Sequence, residues 1–70
     1  MKLILNNTTY EVQHTSDAFS IIEDYCEDNG YIMGYVQTIG NNIEVEINHV
    51  EFYPDSASFI TEKATIEYEK

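Results

Sequence analysis

A chain of 70 residues makes one domain, and it buries only roughly 60% of the surface its unfolded form exposes, so its core is small. Its 13 acidic residues face 3 lysines and no arginine, a net charge of −10 that excludes direct binding to nucleic acid or anionic membranes, where phosphate contacts need Lys and Arg. The single cysteine, Cys26, excludes an intramolecular disulfide, and with only His14 and His49 beside it a zinc site would need carboxylates.

The N-terminal Lys2 and the short apolar run 3–5 are too brief for a signal-peptide core, and no stretch approaches a membrane span. A soluble, cytoplasmic protein in a reducing setting is expected. Nine aromatics with frequent Ile and Val argue against disorder despite the charge.

Residues 2–5 and 9–13 are short β-favouring runs separated by Asn6-Asn7-Thr8, a hairpin signal because Asn tolerates left-handed backbone. From Asp17 to Asp28 the period becomes helical. Ala18, Phe19, Ile21, Ile22, Tyr25 and Cys26 fall in one arc, and Asp17, Ser20, Glu23, Asp24, Glu27 and Asp28 fill the other. Ser16 or Thr15 is the expected N-cap, and Asn29-Gly30 the left-handed stop.

The period then returns to two. Tyr31–Thr38 reads as a strand, Gly40-Asn41-Asn42 as a turn, and Asn42–Tyr53 as a longer strand. There Ile43, Val45 and Ile47 oppose Glu44, Glu46 and Asn48, but Val50 and Phe52 have the wrong parity, which predicts a bulge near Asn48-His49. Pro54-Asp55-Ser56 turns the chain into a last strand, Ser58–Glu67, with Ile60, Ala64, Ile66 and Tyr68 in phase. Glu62 interrupts that phase and predicts an edge strand or a second irregularity. The expected fold is α+β and two-layered, one amphipathic helix on an antiparallel sheet of about five strands in the order β-β-α-β-β-β.

The acids are placed against stability. Glu23 with Glu27 and Asp24 with Asp28 are like charges at i, i+4, each pair repelling by roughly 0.2–0.5 kcal/mol. Glu27 and Asp28 also crowd the helix C-terminus, where the dipole prefers cations. Sixty residues from Leu3 to Glu62 contain no positive side chain and eleven acids. A second acidic pair, Glu44 and Glu46, has i, i+2 strand spacing of about 6.8 Å, close to that of successive phosphates, and Glu11, Glu51 and Asp55 could extend it. Tyr31 and Tyr35 share strand parity after the helix, which predicts a tyrosine beside the acids.

Catalytic constellations are missing. Gly30, Gly34 and Gly40 are too far apart for a phosphate loop, and Cys26 falls on the apolar arc, where an inert buried thiol is the default. His14 and His49 lack motif-spaced partners and are expected at the surface, and the acids do not match a calcium loop. No enzyme activity, cofactor or metal is expected.

In size and charge the chain resembles the small acidic inhibitors of phages and mobile elements. These include anti-restriction and anti-CRISPR proteins, uracil-glycosylase inhibitors and nuclease immunity proteins. The resemblance implies an inhibitor, several of that group being DNA mimics, that occupies the groove of a basic nucleic-acid-handling protein. Asp17, Glu23, Asp24, Glu27, Asp28, Glu44, Glu46 and Tyr31 are the candidate partner-binding residues. An antitoxin or immunity protein for a nuclease, and an adaptor or homodimeric structural domain, are the competing readings.

Overall fold

The computed structural model describes residues 1–68, and Lys70, one of the three lysines, lies outside them. The elements are β1 (Lys2–Leu5), β2 (Thr8–Glu11), α1 (Thr15–Asn29), β3 (Ile32–Ile39), β4 (Asn42–Tyr53) and β5 (Ser56–Glu67). The strands form one antiparallel sheet in the order β2-β1-β5-β4-β3, and α1 packs on one of its faces. This is the α+β fold that the change of period predicts.

Tight turns set the register. Asn6 and Asn7 both adopt positive φ, 50° and 61°, and join Leu5 to its partner Thr8. That double left-handed geometry matches the right-handed twist of a hairpin. Gly40 has φ 58° in the loop that joins Ile39 to its partner Asn42.

The helix begins earlier than its side-chain pattern suggests. Neither Ser16 nor Thr15 caps it; His14 is the N-cap, its carbonyl accepting from the N–H groups of Asp17 (3.1 Å) and Ala18 (3.3 Å), without a side-chain cap. The Thr15 hydroxyl is engaged elsewhere, 2.9 Å from the Tyr68 hydroxyl. At the other end Gly30 sits at φ 70°, with Tyr31 N–H donating to the Cys26 carbonyl (2.8 Å) and Gly30 N–H to that of Glu27 (3.4 Å). These paired bonds form a Schellman stop, as Asn29-Gly30 implies.

The core lies between α1 and the middle of the sheet. Ala18, Ile22 and Cys26 of α1 meet Leu3 and Leu5 of β1, Val45 and Ile47 of β4, and Ala64 and Ile66 of β5, all buried, with Val12 closing one end. Each fully buried Leu, Ile or Val contributes roughly 1.5–3 kcal/mol, a large share of the stability of so short a chain.

Two irregularities expected from parity lie elsewhere. β4 and β5 pair without a shift from Asn42↔Glu67 to Tyr53↔Ser56, so no bulge occurs at Asn48-His49. Val50 and Phe52 keep strict alternation and face the side without the helix, because the core does not extend that far along β4. The register shift is in β3, between Met33 and Val36. β5 is central in the strand order and regular at Glu62, yet there it has β4 alone beside it, because β1 pairs with it only from Thr65, so Glu62 does lie on an open edge.

Candidate functional site

The helix predicted to carry the acids does so. Asp17, Glu23, Asp24, Glu27 and Asp28 are all exposed, on the side of α1 away from Ala18, Ile22 and Cys26. The last turn contains no basic residue. From Asp17 to Asp28 the helix rises about 16 Å, at about 1.5 Å per residue. Along the axis the successive gaps are about 9, 1.5, 4.5 and 1.5 Å, so four of the five carboxylates crowd into about 7.5 Å at the C-terminal end and Asp17 stands apart.

Glu44 and Glu46 are not part of that surface. Alternation along β4 buries Val45 and Ile47 under the helix and turns both glutamates to the opposite, helix-free face of the sheet. The helix acids and the strand acids thus lie on opposite sides of the molecule. A cation also joins the strand pair: Lys63 is the cross-strand partner of Glu46, and its Nζ lies 3.8 Å from Glu44. As an exposed ion pair this adds little stability, but it interrupts the anionic character of that face. Lys63, Glu44, Glu46, Gln37 and Tyr35 line a shallow depression of about 240 Å³.

The two tyrosines after the helix also separate, through the register shift in β3. Sequence parity places Tyr31 and Tyr35 together, but the shift in β3 puts Tyr35 on the helix-free face, 77% exposed beside Glu44 and Glu46. Tyr31 is half-buried on the helix side. It stacks on His49, centroids 3.6 Å apart and rings 6° from parallel, and meets the edge of Tyr25 at 5.6 Å.

Those rings enclose a polar cluster that the sequence pattern does not reveal. Glu62 Oε2 accepts from the Tyr25 hydroxyl at 3.0 Å and lies 2.9 Å from His49 Nε2. His49 is thus half-buried, not at the surface, and the off-phase Glu62 is accommodated by two partners. Burial, then the Glu62 hydrogen bond and charge, push the Tyr25 phenol up from 10.0 to about 12. Burial, and secondarily Glu62, also raise the Cys26 thiol, as expected of an unreactive core cysteine. His14 is exposed at the helix start.

The apolar surface is the other feature that sequence reasoning missed. Ile32, Tyr35, Phe52, Tyr53, Phe59 and Ile60 are each at least half exposed. Four of these lie at the end of the β4–β5 hairpin, and the sequence signal was the parity of Val50 and Phe52.

Among the described residues no group of three or more His, Cys, Asp or Glu is placed to hold a metal ion, and no helix is long and apolar enough to cross a membrane. Compared with known proteins, the chain matches no family model, no curated protein and no solved structure.

Proposed function

We propose that this protein is a small acidic inhibitor that acts by binding, without catalysis. Its exposed face of α1 enters the Lys/Arg-rich groove of a nucleic-acid-handling protein in the cytoplasm. The observation that carries the reading is the one-signed face of Asp17, Glu23, Asp24, Glu27 and Asp28, all exposed, with four of them crowded near the C-terminal end and no basic residue in the last turn. Their arrangement opposes helix stability through i, i+4 repulsion and through anions at the C-terminal turn. A phage or mobile-element DNA mimic, of the anti-restriction or anti-CRISPR kind, fits that charge density and the size of the chain. Complementary charge accelerates encounter and rejects acidic partners.

The reading rests on the helix face alone. Glu44 and Glu46, on the far side of the sheet, would reach the same groove only if the partner wrapped around the protein, and Tyr31 is committed to His49.

The test is capture of basic nucleic-acid-binding proteins from bacterial lysate by the parent chain and by Glu23→Lys/Glu27→Lys. Capture at low salt that excess duplex DNA releases, and that the double variant loses while remaining folded, supports the proposal. A folded double variant that retains the same partner, or a partner indifferent to duplex DNA, overturns it.

A further inference from the structure

Beyond the last β3 pair, Ile32↔Asn48, and far beyond the last β1 pair, Ile4↔Thr65, the β4–β5 ribbon continues alone from His49↔Ile60 to Tyr53↔Ser56. An isolated two-stranded ribbon is marginal in water. This one is apolar on the helix-free side and mixed on the other, where Glu51 accepts from the Tyr53 hydroxyl. Val50, Phe52 and Phe59 face the helix-free side and Tyr53 and Ile60 the other, with Phe52 82% and Phe59 71% exposed. The outer edge of β5 from Ser56 to Thr61 has no charged residue and no neighbouring strand. Edges of that kind are ordinarily blunted by charge, proline or a bulge.

We propose that this edge is a homodimer interface, in which Ser56–Ile60 of two copies pair antiparallel about a two-fold axis at Ser58. The size pattern of the segment is complementary to itself in that register. Small Ala57 stands opposite Phe59 of the second copy, small Ser56 opposite its Ile60, and Ser58 opposite itself. On the helix-free face each row across the dimer then reads Phe52, Ala57, then Phe59 and Val50 of the other copy, which gathers four phenylalanines around the axis. Glu51 and Asp55 do not face an acid across the new pairing, so it is compatible with the net charge of −10. The hairpin of the second copy also ends short of β1, which meets β5 only from Thr65.

Aromatic side chains present roughly 150–250 Å² each, so at their exposures Phe52, Tyr53 and Phe59 with Ile60 carry ~500 Å² per copy and ~1,000 Å² per pair, the upper limit of what these side chains can bury and the threshold of a specific interface.

Salt separates this surface from the acidic helix. Screening relieves repulsion between two like-charged copies, so dimerisation strengthens with ionic strength, whereas binding of a basic partner by α1 weakens. Either interaction can fail while the other stands.

Sedimentation equilibrium of the full chain is the test, at low salt and at about 0.5 M salt, where the Debye length is only a few Å. The parent is expected at twice the monomer mass, more fully at high salt. Phe59→Lys is expected to weaken association at least about 30-fold with an unchanged circular dichroism spectrum. Tyr35→Lys, on the same face but outside the ribbon, should dimerise like the parent. Ser58→Cys, on the axis, should cross-link two chains under mild oxidation while the parent, with Cys26 buried, does not. A parent chain that stays monomeric at high salt, a dimer that survives Phe59→Lys, open-ended polymers, or no cross-link at Ser58→Cys each overturn the proposal.

Discussion

Tyr25 donates its hydroxyl hydrogen to Glu62 at 3.0 Å, tying the last turns of α1 to the centre of β5 across 37 residues of sequence. Removing it by Tyr25→Phe keeps the ring packed against Tyr31 but leaves Glu62 with His49 alone. A hydrogen bond to a charged group contributes roughly 1.5–3 kcal/mol, and the partial exposure of this one places it at the lower end. A fall of about 1.5 kcal/mol in urea unfolding is expected; no change would show that water replaces the hydroxyl freely.

Burial of the same phenol, together with its bond to Glu62, gives stability an alkaline limit. The Tyr25 phenol ionises near 12 in the folded chain against 10.0 for the free group, so the folded state retains the proton more tightly. That contribution is complete below pH 10 and is lost as pH rises from 10 towards 12. Unfolding midpoints between those values should decline more steeply for the parent than for Tyr25→Phe. Parallel curves would remove Tyr25 as the cause.

Charge reversal on the helix should stabilise the fold. Glu27→Lys converts the repulsive i, i+4 pair with Glu23 into an attractive one and places a cation in the C-terminal turn. An increase of about 0.5–1 kcal/mol is expected, as a higher urea midpoint at constant m-value. Loss of stability would mean that the acids have favourable partners and are not held against the fold.

Gly30 separates backbone strain from packing. Its φ is 70° and a Cβ there would meet nothing within 4 Å. Gly30→Ala should therefore lower stability by about 1 kcal/mol through conformation alone, and Gly30→Asn by clearly less, since Asn tolerates the left-handed region. Equal losses from both would point to a steric cause instead.

Ile22 is fully buried between α1 and the sheet. Ile22→Ala should cost about 2–5 kcal/mol, comparable with the whole stability expected of a chain this small. Near-complete loss of cooperative thermal unfolding is the expected readout. A cooperative transition within a few degrees of the parent would show that the core re-forms around the vacancy.

Most of the architecture was legible because period reports burial. The alternation of Ile43, Val45 and Ile47 and the two arcs of α1 fix which faces meet, and the turn chemistry of Asn6-Asn7 and Gly40 fixes where strands end. Parity failed where side chains leave the core. Phe52 is apolar without being buried, and Glu62 is half-buried without being apolar, so neither obeys a hydrophobic code. The position of the shift in β3 was equally hidden. Between Met33 and Val36 lie only Gly34 and Tyr35, and a Cβ at Gly34 would come within 2.7 Å of Asn48 Nδ2, a crowding that exists only once the strands are paired. The acidic helix face was readable from spacing, and the separation of Glu44 and Glu46 from it was implicit in the alternation with Val45 and Ile47 once the helix is placed on the apolar face of the sheet.

The placement of β1 beside β5 has a kinetic meaning. β3, β4 and β5 form a meander whose contacts join near neighbours along the chain, while Lys2↔Glu67 and Leu3↔Ile66 close nearly its whole length. Loop closure over such a distance is rewarded only after the meander exists, so β1 docks late. Truncating Leu3 to Ala should then accelerate unfolding and leave the refolding rate almost unaltered, whereas Val45→Ala should slow refolding.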